Sequence, residues 1–210
     1  MTSWLQERAR SGDFSPAALL SGGALVVMAS GRLAHALIVL AALLWTHCAS
    51  ALIAFAGSRI FPSGGRRALF AFVASFAAAL YLLLLWLAFP LAALQSFFFV
   101  SFVPLFCAGS GLQARLENKG LSRALRISAF EAARSGVPIV ALSIARELFG
   151  HRSLSLPGGD QGMMVFYPFG PGFPFFLSLL SVSSGALLLL GCILWAHRRA
   201  KARRAAEEDA

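Results

Sequence analysis

The chain has 210 residues, of which 58% are apolar and only 13% charged, and its mean hydropathy is +0.74. A soluble domain covers its surface with about 25% charged residues, so this composition excludes a water-solvated globule and describes a chain solvated by lipid over most of its length. The net charge of +9 does not point to a nucleic-acid partner, because the basic residues fall in short runs between apolar stretches and form no patch on a folded face.

Residues 1–14 are polar and of mixed charge, and read as a cytoplasmic N-terminal segment. Arg8 and Arg10 precede an apolar run over 17–29, with small residues at Ser30 and Gly31, which is the outline of a signal peptide. More apolar segments follow with no soluble domain to export, so the run reads as a retained membrane segment. Ser15-Pro16 supplies a helix cap and a proline at the first helical position. Six apolar segments then cover 16–30, 33–56, 68–89, 95–110, 127–149 and 173–196.

The segment lengths are unequal. The second, third, fifth and sixth have 22 to 24 residues, and at about 1.5 Å per residue each spans a hydrocarbon core of about 30 Å. The first and fourth have 15 and 16 residues and reach only about 22–24 Å. Both also hold helix-weakening residues, Gly22-Gly23 in the first and Pro104 and Gly109 in the fourth. Short, long, long, repeated once, predicts an all-α integral membrane protein whose six transmembrane segments form a 3+3 inverted repeat, with two short or broken helices meeting at mid-membrane. One membrane domain covers 15–197, and 198–210 forms a tail that is basic and then acidic.

The basic residues set the orientation. With both termini cytoplasmic, the inner segments hold Arg8, Arg10, Arg59, Arg66, Arg67, Arg115, Lys119, Arg123, Arg126, Arg198, Arg199, Lys201, Arg203 and Arg204. The outer segments hold only Arg32 and Arg152, and an odd number of crossings would destroy this asymmetry. The outer loop over 150–172 is the longest, and its part from Phe166 to Phe176 is rich in Phe, Pro and Gly. It reads as an interfacial cover, with Tyr167 at headgroup depth, and a binding role for the loop is the alternative.

Ionisable groups inside a membrane segment are costly and need partners. The fifth segment holds Glu131, Arg134, Arg146 and Glu147. Glu131 and Arg134 have the i, i+3 spacing of a same-face pair, close enough to the inner end for their tips to snorkel. Pro138 deprives the Arg134 carbonyl of its helical donor and predicts a kink. Arg146-Glu147 sits at the outer end, placed to close the helix against a neighbour. These four read as helix pairing or as part of an ion or proton path. The three cysteines, Cys48, Cys107 and Cys192, show no CxxC spacing and imply neither a disulfide framework nor a zinc knuckle. Adjacent His47 and Cys48 point about 100° apart on a helix and do not converge on one metal. Cys107, near the end of the broken fourth segment and ahead of Ala108-Gly109-Ser110-Gly111, is placed to hold a soft metal centre if a second thiolate came from the first segment. The tip residues there are Gly22, Gly23, Ala24 and Leu25. No nucleophilic triad, phosphate loop or dinucleotide fingerprint occurs.

Four stretches carry a family likeness: Ser15-Pro16-Ala17, Phe102-Val103-Pro104-Leu105, Ala145-Arg146-Glu147-Leu148-Phe149-Gly150 followed by Leu154, and the final helix with its basic tail, Trp195 to Arg204. They resemble the membrane subunits of the Rnf complex and of the sodium-translocating NADH:quinone reductase (RnfA/RnfE and NqrD/NqrE), and most of all the RnfE/NqrD branch. The resemblance implies an inner-membrane subunit that pairs with a homologous subunit and other membrane subunits. It also implies a 2Fe–2S cluster held at mid-membrane by one cysteine from the first helix and one from the fourth of each partner. Aligned through Pro104, those positions fall at Ser110 and near Ala24 or Leu25, with Cys107 one helical turn from Ser110. Serine and alanine do not replace thiolates on an iron cluster. The resemblance therefore implies either a divergent paralogue without the cluster or a scaffold for redox subunits. The same inverted repeat also suits a small-solute transporter or its substrate-binding membrane component. No complete catalytic constellation marks an autonomous enzyme.

Overall fold

A computed structural model describes residues 16–57, 63–116, 120–159 and 162–166, together with positions 182, 185, 187, 188, 191, 192, 195 and 199. The N-terminal segment, the Ser15 cap, Tyr167 with the rest of the Phe-rich stretch, most of the sixth segment and most of the tail lie outside the described residues. The protein is mostly helical and membrane-embedded. Among the described residues, four helices are long and apolar enough to cross a membrane, over Leu33–Ala56, Ala68–Ala88, Pro90–Gly109 and Leu121–His151.

Helix α1 (Pro16–Ala29) ends at a short turn through Ser30 and Arg32, and α2 (Leu33–Gly57) follows at once. α2 is the centre of the fold. Its buried positions Ala36, Val39, Ala42 and Leu43 recur at helical spacing and meet α3 (Ser63–Ala88) on one side and α7 (Leu121–Arg146) on another. Two hydrogen bonds lock α2 to α3: the Trp45 indole N–H donates to the Ala77 carbonyl at 3.0 Å, and the Tyr81 hydroxyl donates to the Ile38 carbonyl at 3.0 Å. The remaining face of α3 is apolar and exposed, with Phe72, Phe76, Leu83 and Leu87 turned outward. In a membrane protein this is a lipid-facing surface.

The fourth segment differs from the expected short run. It begins at Pro90, not near residue 95, because proline is preorganised for the first helical position and Leu91-Ala92-Ala93-Leu94 continue the helix readily. Only Phe89 separates α3 from α4 (Pro90–Ser101). The break lies at Phe102, ahead of α5 (Val103–Gly109). Pro104 has no N–H to give to the Val100 carbonyl, and the chain tightens there, with Phe102 N–H on the Phe99 carbonyl at 3.2 Å. The short helix α6 (Leu112–Leu116) follows, after Gly111 takes a φ of +69°.

α7 starts six residues before the apolar run expected at 127, since Leu121 to Arg126 form its solvated first turns. It stays continuous through Pro138 and passes into a π-helical turn, Glu147–His151. Gly136 lets α7 approach α2 closely: a Cβ there would collide with the Leu40 side chain. The outer loop contains an element that hydropathy did not announce. β1 (Leu154–Pro157) and β2 (Met163–Phe166) form an antiparallel hairpin, with Leu154 opposite Phe166 and Pro157 opposite Met163. It stands on the bundle end formed by the starts of α2 and α4. In the sixth segment, the described positions Gly185, Leu187, Leu188, Gly191, Cys192 and Trp195 are helical.

Candidate functional site

Among the described residues, two hydrogen-bonded polar groupings lie inside the apolar bundle, one toward each end of α2. At the first end, α7 delivers two adjacent charges to two different helix termini. Arg146 is 2% exposed and Glu147 1%. The Arg146 guanidinium donates to the Val27 carbonyl at 3.3 Å and to Ser30 Oγ at 2.8 Å, both at the C-terminal end of α1. It also donates to the Val182 carbonyl at 3.1 Å. The Glu147 carboxylate accepts the Leu33 backbone N–H at 2.7 Å, at the N-terminal end of α2. A helix C-terminus is the negative end of its dipole and an N-terminus the positive end. Each charge therefore meets its complement, and each satisfies a backbone group that the helix itself cannot.

The hairpin completes this end. Arg152 adopts a left-handed φ of 55°, which turns the chain back after the π-helical turn, and Ser153 N–H closes it on the Glu147 carbonyl at 3.3 Å. The fully buried Ser155 Oγ accepts the Ala34 N–H at 3.2 Å. Gly162, at φ +80°, rests against α4 so closely that a Cβ would lie 2.8 Å from the Ala92 nitrogen.

At the other end, Glu131 takes its ion pair from Arg115 of α6. Its i+3 neighbour Arg134 lies on the exposed side of α7. The pair ties α6 to α7, with Glu131 nearly buried and the Arg115 side chain 33% exposed. Ser50, Cys107 and Ser110 lie at the same end. The Cys107 thiol, fully buried, donates to Ser50 Oγ at 3.9 Å. Ser110 Oγ donates to the Cys107 carbonyl at 2.7 Å and accepts the Leu112 N–H at 3.3 Å. Both cluster candidates are thus committed to local structure.

The short helices α1 and α5 pack against one another. Their contact is Gly22 against Phe106, whose ring would lie 3.0 Å from a Cβ at Gly22. The residues present do not fit a 2Fe–2S cluster. α1 offers no thiolate, the Phe106 ring stands where the two helices meet, and the Ser110 hydroxyl caps a turn. Among the described residues, no three His, Cys, Asp or Glu side chains group as metal ligands.

Sequence reasoning missed the roles of Ser30, Ser155 and Arg115. Each acts on a partner distant in the chain, and only the charge of Arg115 stood out locally. The orphaned buried atoms were also missed. His35 Nε2, Thr46 Oγ1, His47 Nε2, Ser96 Oγ, Ser128 Oγ and Ser143 Oγ are buried with no hydrogen-bond partner among the described residues.

The fold and its polar groupings define a helical membrane protein with charges handled inside the bundle. No protein-family model matches this chain, and no curated protein matches it.

Proposed function

We propose that this chain is a membrane subunit of an Rnf/Nqr-like ion-translocating electron-transport complex in a bacterial-type inner membrane. In this reading it is a cofactor-free paralogue that pairs with a homologous subunit. Its six crossings form a 3+3 inverted repeat, and both termini are cytoplasmic. The observation that carries the reading is the contact of α1 with α5 at Gly22 and Phe106. One short helix from each half meets its counterpart inside the bundle, as an inverted repeat with two broken helices requires. At that meeting point an aromatic ring takes the place of thiolates, which suits a scaffold for redox subunits better than an electron carrier. Arg146 and Glu147 then pair helices, and Glu131 with Arg115 guards the cytoplasmic end.

The test is purification of the tagged full chain from its native membranes in mild detergent. Flavin-bearing and iron–sulfur subunits are expected to copurify in fixed stoichiometry, with no iron or acid-labile sulfide in this chain once it is separated. Recovery of the chain alone, with its abundance unaffected by loss of such subunits, overturns the reading.

The second reading is a small-solute transporter. The observation favouring it is that the fully buried hydroxyls of Thr46, Ser96, Ser128 and Ser143 have no hydrogen-bond partner among the described residues, so polar groups able to meet a polar ligand lie inside the bundle. It predicts saturable ligand binding by the isolated chain.

A further inference from the structure

One face of α7 is left uncovered by the bundle. Arg123, Arg126, Phe130, Arg134, Val137 and Ile144 are all exposed, Phe130 at 67% and Val137 at 58%. At 100° per residue they fall within an arc of about 80°. They lie opposite the face on which Ala124, Ser128, Ala132, Ile139 and Leu142 are buried. The stripe is graded along the helix: its arginines stand at the end where Arg115 meets Glu131, and beyond Arg134 it is apolar.

Water accounts for Arg123 and Arg126, which stand on the solvated first turns. It does not account for Arg134. That residue lies eight positions past Arg126, about 12 Å further along the axis, inside the apolar run and between the exposed Phe130 and Val137. A guanidinium on the lipid side of a helix is costly unless a counter-charge meets it. None of the three arginines has an ion pair among the described residues, and Glu131, one turn from Arg134, is taken by Arg115 on the buried face. A helical side chain leans toward the helix N-terminus, so an arginine at 134 can return its head to the depth of the lipid phosphates.

We propose that this face of α7 is a binding site for a net-anionic phospholipid of the leaflet at the Arg115 end. Its phosphodiester rests on Arg134, and an acyl chain lies along Val137 and Ile144. Arg123 and Arg126 supply the positive field that selects a net negative headgroup. A zwitterionic headgroup would also bring a cation to a face that carries three and offers it no carboxylate. A second copy of the chain fits less well, since a two-fold contact through this face would set arginines against arginines. The proposal needs only that the chain is embedded in a membrane, and stands apart from the subunit reading.

The test is photo-crosslinking of the full chain in phosphatidylcholine nanodiscs titrated with phosphatidylglycerol that carries a photoactivatable acyl chain, with adducts located by peptide mass spectrometry. Adducts are expected within 137–144, displaced by unlabelled phosphatidylglycerol and not by inorganic phosphate. Arg134→Gln is expected to raise the mole fraction that gives half-maximal labelling about fivefold. Arg134→Lys should stay close to the parent, and Arg32→Gln, at the opposite end of the bundle, should not change it. If Arg134→Gln does not fold, Arg123→Gln combined with Arg126→Gln, both on solvated turns, is expected to raise it at least as far. Equal labelling by a photoactivatable phosphatidylcholine, or labelling that the arginine variants leave unchanged, overturns the proposal. Displacement by inorganic phosphate would mark a site for free anions, and crosslinks to a second copy in place of lipid would mark a protein interface; either result overturns it as well.

Discussion

The carboxylate of Glu147 accepts the backbone N–H of Leu33 at 2.7 Å, across 114 positions of chain. The neighbouring Arg146 holds the end of α1. One dipeptide thus fixes the turn between α1 and α2 from both sides. Removing the Glu147 side chain leaves the buried Leu33 N–H without its acceptor. Glu147→Ala is expected to cost about 1–3 kcal/mol, read as a lower unfolding temperature of the detergent-solubilised chain. Glu147→Gln keeps an acceptor and loses only the charge, so it should fall between Ala and the parent.

The Arg115–Glu131 pair predicts a smaller effect. Arg115 is one-third exposed, so solvent screens the attraction. A double-mutant cycle with Arg115→Ala and Glu131→Ala should give a coupling of about 1 kcal/mol. Glu131→Ala should be the milder single change, since Arg115 can turn its guanidinium to solvent while a nearly buried Glu131 left alone cannot.

Gly162 holds the hairpin against α4 at a positive φ and within a Cβ's reach of the Ala92 backbone nitrogen. Gly162→Ala combines backbone strain with a clash that no side-chain rotation relieves, at a cost of about 1–3 kcal/mol. The hairpin should lift from the bundle end, and limited proteolysis should cut within 154–166 several times faster than in the parent. Gly136→Ala meets only the flexible Leu40 side chain. It should be the milder of the two, by unfolding temperature.

Orientation is checked with single cysteines in a background where Cys48, Cys107 and Cys192 are alanine. Ser122 is exposed at the start of α7, and His151 is exposed in the π-helical turn that follows its other end. A membrane-impermeant maleimide applied to whole cells should label His151→Cys directly and Ser122→Cys only after permeabilisation. The reverse pattern would place the termini outside.

The membrane-crossing helices at 33–56 and 68–88 were legible because a long apolar run is a local signal that propensity and lipid both reinforce. The start of α7 was not, since hydropathy reads the apolar part of a helix and α7 begins on solvated turns with Arg123 and Arg126. The hairpin escaped because its strands are four residues each, too short for an alternating pattern to stand out from a Pro- and Gly-rich loop. Charge and position singled out Arg146 and Glu147 as a pair at a helix end. Their partners, backbone groups of Val27, Leu33 and Val182, carry no side-chain signature at all. Glu131 was assigned a neighbour on its own helix because i+3 spacing is visible in a string, whereas Arg115 reaches it from another element.

Phe89 alone joins α3 to α4. A one-residue joint has no slack, so the joined ends of the two helices cannot slide past each other. The compliant point in this half of the protein is then Phe102, where the helix is already interrupted ahead of Pro104. A bend there would shift the seven residues of α5 together, with Phe106 against Gly22 and Cys107 among them. The Phe106 ring, wedged against Gly22, is thus the latch that any such bend would have to release.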